Sequence, residues 1–296
     1  TYSCDGAVYA HLEVVPAAEG FSVNGAEVKG EWLALRSVDG ALLQAGNRFY
    51  PGEVRVVREA DGLAVVNAVA LERYAAAVVG REMKPSWPAE ALKAQAVAVR
   101  TYALFQMRWS KGHYHVTAAA TDQRYVGGET DRRLEQACRE TRGLVLVREG
   151  KVIPAYYHST CGGHTADADK VFGQEHLAFL RGVACGFCDG SPHAHWEVVL
   201  KADGLCAVLK QLRPEIERVR ALQALERGSD GRPGWIRVFT GDGSVDVRPR
   251  DFRTAVGNHE LKSTRFTIES APGGFLVKGE GFGHGAGMCQ YGARGM

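Results

Sequence analysis

The chain has 296 residues, 45% hydrophobic and 24% charged, enough apolar material for one large or two modest globular domains, which excludes a disordered tail. Thirty-six glycines stand beside only 10 prolines with no low-complexity tract, excluding a collagen-like or linker protein. Lys and Arg number 36 against 34 Asp and Glu, and a net charge of +2 gives no electrostatic case for nucleic acid or an anionic membrane surface as partner. No apolar run approaches the roughly 20 residues that span a bilayer, so no membrane span is expected.

The chain opens TYSCDG, without initiator Met, basic n-region or apolar h-region, as a protein would after removal of a signal peptide. Residues 1 to about 66 read as short strands, HLEVV, FSVNG, EWLALRSV, ALLQAG, VRVVREA and LAVVNAV, separated by Asn-Gly, Asp-Gly or Pro-Gly turns. From residue 67 the period changes: Leu71, Tyr74, Val78 and Val79 recur at helical spacing until Gly80 and KPSWP interrupt them. Pro88 then starts a helix of about six turns, PAEALKAQAVAVRTYALFQMRW. A short helix is expected over 131–142, and GLVLVREGKVIPAYYHS reads as a hairpin turning at Glu149 and Gly150. A Cys- and His-rich, loop-rich stretch covers 159–196, a helix is expected over 201–227, and WIRVFT, VDVRP, RFTIES and GFLVKGEGFG alternate like strands. The Gly-rich GFGHGAGMCQYGARGM closes without helix or strand, so a truncated C-terminus is expected. Helices and strands are grouped and do not alternate as β-α-β units, which predicts an α+β fold. The division expected is a β-rich region, 1–66, and a larger region, 67–296.

Three stretches carry chemistry. Glu82 lies between an apolar helix and a Trp-Pro turn; beside Val79, Met83 and Trp87 its carboxyl would be partly desolvated, which suits a general acid, although a solvated Glu at a helix end fits the same residues. His158, Ser159, Thr160, Cys161 and His164 crowd one loop with two glycines, which could bind sugar hydroxyls or a metal. Ser159 has no G-x-S-x-G context, so nucleophilic catalysis is weakly supported. In the Gly-rich end His284, Gln290 and Tyr291 supply polar contacts, while the Lys-Ser/Thr of a phosphate loop is missing. A purely structural turn is an equal reading there.

Seven cysteines, an odd set, cannot all pair within the chain. Cys161-x2-His164 and Cys185-x2-Cys188 form two knuckle-like pairs, with His193 and His195 close behind; three thiolates and one imidazole would make a closed structural zinc site. A disulfide, Cys185 to Cys188 or Cys161 to Cys185, is the alternative in an exported protein.

Taken together and in order, LERYAAAVVGREMKPSWPAEALKAQAVAVRTYAL, TDQRYVGG, AYYHSTCGGHT and GFGHGAGMCQYGA resemble the SpoIID/LytB family over roughly residues 50–296. The resemblance implies a helical catalytic core with β-rich segments around an open cleft. It implies an extracytoplasmic peptidoglycan lytic transglycosylase acting on glycan strands already stripped of stem peptides, cutting between N-acetylmuramic acid and N-acetylglucosamine to leave 1,6-anhydro ends. Glu82 takes the place of the family's catalytic Glu and acts alone as acid and base, so no catalytic cofactor is needed. Gln95, Arg100, Tyr102, Gln123, Tyr125, His158, Ser159, Thr160, His284, Gln290 and Tyr291 match family positions expected to line the groove or hold Glu82. The loops STCGGHT, 159–165, and GFGHGAGMCQYGARG, 281–295, are expected to converge around Glu82 as opposite walls of one glycan cleft.

Some members bind zinc just before the Q-x-Y motif, where this chain has VTAAATD, so that site is expected to be absent. For the cluster at Cys161, Cys185 and Cys188 the resemblance favours His193 over His164 as fourth ligand. The LytB side of the family supports a second reading, a non-catalytic glycan-binding enhancer of a cell-wall amidase. A zinc peptidase is disfavoured because H-E-x-x-H does not occur.

Overall fold

The computed structural model describes residues 2–4, 7–110, 112–118, 122–241 and 243–296, the side chains of 2–4 and 7–9 excepted. Part of the VTAAATD run, 119–121, lies outside the described residues. Helices and strands are grouped as an α+β fold. No described helix is long and apolar enough to cross a membrane. The chain divides into two compact units, Thr1–Pro154 and Ala155–Met296.

In the first unit Gly62–Ala68, Glu53–Glu59, Trp32–Ser37, Tyr2–Cys4 and Ala7–Tyr9 form an antiparallel sheet in that order. Alternation along the strands turns Leu33, Leu35, Val54 and Val56 onto a core with Phe21, Val23 and Leu43. The Asn-Gly turn expected after FSV joins Gly20–Val23 to Ala26–Lys29, with Asn24 and Gly25 at φ 49° and 86°, as a two-residue hairpin requires.

Three helices follow: α1 (Leu71–Glu82), α2 (Ala89–Met107) and α3 (Arg132–Glu140). Gly80 does not interrupt α1. A Cβ there would lie 2.7 Å from Leu134 Cδ1, so the bare position lets α1 and α3 approach closely. Pro88 caps α2 from just outside its first turn.

The boundary expected at residue 66 falls inside this unit, because polar contacts tie strands to helical region. Asn67 donates to the Pro51 and Glu53 carbonyls (2.7 and 2.9 Å) and accepts from the Tyr125 hydroxyl (2.5 Å), and the Gly128 amide donates to Phe49 O (2.7 Å). The hairpin of Val147–Arg148 and Lys151–Val152 turns at Glu149 and Gly150 as expected.

The second unit contains α4 (Ala168–Phe172), α5 (Ala202–Leu212), α6 (Pro249–Val256) and α7 (Gln290–Gly295). Two three-stranded antiparallel sheets, His195–Lys201/Gly274–Glu280/Phe266–Ala271 and Ala221–Leu225/Trp235–Phe239/Ser244–Val247, contribute to one core with α5 and α6. Leu209, Ile216, Ile236, Val238, Phe252, Leu261 and Val277 are fully buried in it.

The helix expected over 201–227 stops at Leu212. Pro214 has no N–H to continue the ladder, and Ala221–Leu225 pairs with Trp235–Phe239 as a strand. The end of the chain, expected to lack regular structure, forms the short strand Met288–Cys289 and then α7.

Candidate functional site

In the first unit Glu82 is the last residue of α1 and is partly buried; the buried Met83 follows, and the Trp87 amide closes the next turn on Lys84 O (3.0 Å). Behind it the helices enclose a polar network. The Tyr74 hydroxyl donates to Gln123 Oε1 (2.9 Å), and the Tyr74 and Tyr125 rings pack with centroids 5.1 Å apart. Burial pushes the Tyr125 phenol up to about 12. Tyr74 is raised too, by burial first and then by the negative charges of Asp122 and Glu82.

Asp122 Oδ1 accepts from Tyr102 Oη and Gln106 Nε2 (both 3.1 Å), and Oδ2 accepts from the Thr117 amide and hydroxyl (2.9 and 2.8 Å). Burial opposes the charge on Asp122, but these hydrogen bonds outweigh it and hold the carboxyl below its ordinary range. The sequence marked Tyr74 only as a position of the helical period and gave Asn67 and Asp122 no role, although Tyr74 and Asp122 both stand in family motifs, LERYAAAVVGREM and TDQRYVGG.

Gln95, Tyr102, Gln123 and Tyr125 are all buried, so they brace the helices from within. Arg100, expected to line the groove or hold Glu82, bonds Glu72 from a buried position. It is 1% exposed, its Nε and Nη2 bond both carboxylate oxygens of Glu72 (2.9 and 2.7 Å), and Nη1 and Nη2 donate to the carbonyls of Leu144 (3.0 Å) and Cys138 (3.2 Å). It clamps α1, α2 and the end of α3 together.

In the second unit the His-Ser-Thr loop and the Gly-rich segment meet each other. Tyr157 and His158 pair in parallel with Met288 and Cys289, and Thr160 exchanges backbone hydrogen bonds with Phe282 (3.0 and 2.8 Å). Gly283 permits this approach: at φ 113°, a Cβ would stand 2.9 Å from that of His158. Thr160 is a buried latch, its hydroxyl 2.6 Å from Ser191 Oγ. Ser159 and Tyr291 lie at the partly exposed edge, joined by Tyr291 N–H to Ser159 O (3.0 Å), while Gln290 is buried at the start of α7.

The His158 and His284 rings are 5.5 Å apart, with Phe172 5.4 Å from His284. His158 Nδ1 donates to Ala286 O (3.0 Å), which leaves Nε2 as a buried lone pair with no hydrogen-bond partner among the described residues. His284 Nδ1 accepts from the Ala286 amide (3.1 Å). Burial, followed for His284 by nearby arginines, keeps both imidazoles neutral, His284 at about 4 and His158 well below the usual histidine range.

Beside this pair the Sγ atoms of Cys161, Cys185, Cys188 and Cys289 gather within 4.8 Å of one another. The fourth member is therefore Cys289 and not His193. The His193 ring packs edge-on against Phe282 at 4.8 Å. His164 binds Thr165 O through Nδ1 (2.6 Å), and His195 is exposed beside Glu280. None of the four is in a disulfide, which does not match either pairing considered from the sequence. Arg232, not noticed in the sequence, is buried here and donates to Cys161 O (3.1 Å) and His164 O (3.0 Å).

Comparison with known proteins agrees with these motifs. The SpoIID family, described as Stage II sporulation protein, matches residues 59–147, which contain Glu82, Gln95, Arg100, Tyr102, Gln123 and Tyr125; a domain of unknown function, DUF8618, matches 189–287. An uncharacterized protein of Brachyspira hyodysenteriae is 35% identical over 286 residues, covering 96% of this chain and 76% of that protein. The Stage II sporulation protein D of Bacillus subtilis is 26% identical over 289 residues, 92% of this chain and 81% of that protein. The amidase enhancer of Bacillus subtilis is 25% identical over 261 residues, 73% of this chain but only 36% of that larger protein. The class defined by these matches is that of the sporulation and amidase-enhancer proteins. The chain belongs to the SpoIID/LytB family.

Proposed function

We propose that this protein acts on the bacterial cell wall, outside the cytoplasm, as a lytic transglycosylase. It cleaves peptidoglycan strands between N-acetylmuramic acid and N-acetylglucosamine, with Glu82 as the single acid and base. The observation that supports this reading is the position of Glu82, which ends α1 at a partly buried site between the buried Met83 and the Trp-Pro turn, inside the segment that matches the SpoIID family. Glu82 protonates the leaving glycosidic oxygen, then as carboxylate accepts the proton of the muramoyl 6-hydroxyl as that oxygen attacks C1. The nucleophile belongs to the substrate, so one protein carboxyl suffices, unlike the pair in ordinary glycosidases.

The test is mass spectrometry of products from defined glycan strands, with and without stem peptides. The native protein is expected to release 1,6-anhydro ends, and Glu82→Gln, nearly isosteric, to release none while keeping its unfolding midpoint. Hydrolysed reducing ends, or unchanged anhydro products from the variant, would overturn the assignment. A second reading, a glycan-binding enhancer of a cell-wall amidase, is favoured by the relative that carries that name. It predicts stimulation of an added amidase that Glu82→Gln leaves intact.

A further inference from the structure

We propose that the chain holds one zinc ion on the thiolates of Cys161, Cys185, Cys188 and Cys289, and that this ion fastens the closing segment of the chain to the His-Ser-Thr loop. The four sulfurs lie within 4.8 Å of one another, with Cys161 and Cys188 Sγ 3.6 Å apart. Zinc–sulfur bonds of about 2.3 Å in a tetrahedron separate the sulfurs by about 3.8 Å, whereas a disulfide needs about 2.05 Å. The quartet has the span of a single-ion cage and is too tight to enclose a multi-iron cluster.

Cys161, Cys188 and Cys289 are at most 6% exposed, and the amides of Cys161 and Gly292 donate to Cys289 Sγ (3.3 and 3.2 Å), where they would support a metal-bound thiolate. A Cβ on Gly292 would stand 2.9 Å from Cys185 Sγ, so a bare position lets α7 close on the cage. Four thiolates outweigh the charge of one divalent ion, and the buried Arg232 beside Cys161 supplies part of the compensation.

The ion has a mechanical consequence. Cys161 and Cys289 are 128 residues apart, and Cys289 pairs with His158 in the short parallel bridge. A bond through metal at this point closes a long loop and fixes the register in which His158 meets the Gly-rich segment. Four protein ligands leave no open coordination position, so the role is structural.

The full chain purified without added metal or chelator should contain about one zinc, released as four thiols react with a mercurial. Exchange for cobalt should give the strong thiolate charge-transfer and tetrahedral bands of a four-sulfur site. Cys289→Ser should lower zinc retention against a competing chelator by roughly tenfold or more, while His193→Ala and Cys206→Ser retain it. If Cys289→Ser fails to fold, the cobalt spectrum of the native chain still reports the thiolate number. A disulfide within the quartet with negligible metal, iron in place of zinc, or zinc lost in His193→Ala but kept in Cys289→Ser would each overturn the proposal. None of these outcomes depends on whether Glu82 cleaves glycan.

Discussion

Replacing Arg100 separates a clamp from a substrate contact. In Arg100→Ala the carbonyls of Leu144 and Cys138 lose their buried donor, and Glu72 loses both charged hydrogen bonds. Breaking a buried ion pair by removing one partner costs about 3–5 kcal/mol. The Glu72 side chain is 31% exposed and can rehydrate, so the lower end, about 3 kcal/mol, is expected. At roughly 2–4 °C per kcal/mol this lowers the melting temperature of the first unit by about 6–12 °C. Arg100→Lys keeps the charge without the planar fork and should recover only part of the loss. Calorimetry of the full chain, with hydrogen exchange to assign the transition to α1–α3, measures both variants. A melting point within a degree or two of native, combined with loss of glycan binding, would refute the clamp and restore the substrate role.

Three further outcomes are expected. Gly279→Ala should destabilise the second unit by about 2–3 kcal/mol, because the new methyl would overlap the indole of buried Trp196, itself anchored through Nε1–H to Gly281 O (2.9 Å); denaturant titration followed by Trp fluorescence checks it. Asp122→Asn should cost about 2 kcal/mol, since one amide donor must face Thr117, Tyr102 or Gln106, and unchanged unfolding would show the network to be idle. His284 titrates near 4 when folded, chiefly through burial, against about 6.5 unfolded. Below pH 6.5 the unfolded chain therefore takes up a proton that the folded chain refuses, and stability falls as pH drops toward 4, by no more than about 3 kcal/mol from this residue. The stability difference between native and His284→Gln chains should be steady above about pH 7 and shift by up to about 3 kcal/mol against the native chain as pH falls toward 4; a constant difference would contradict the sign or the burial.

The sequence by itself determined what depends on neighbours along the chain. Asn24-Gly25 specified a hairpin through its left-handed dihedrals, the apolar period specified α1 and α2, and the order of the Glu82, Gln-x-Tyr, His-Ser-Thr and Gly-rich motifs specified the family. Where two local signals competed the reading failed: apolar residues over 201–227 suit a helix or a strand, and pairing with Trp235–Phe239 decided for a strand beyond Pro214. Only the tertiary structure decided which groups are partners. The spacing of Cys161, Cys185 and Cys188 pointed to a nearby histidine, yet the fourth sulfur arrives from Cys289, because metal-ligand geometry depends on distance in space and not along the chain. For the same reason the motif residue Arg100, expected to line the groove or hold Glu82, is a clamp only by virtue of Glu72, Leu144 and Cys138, which the fold brings to its donors.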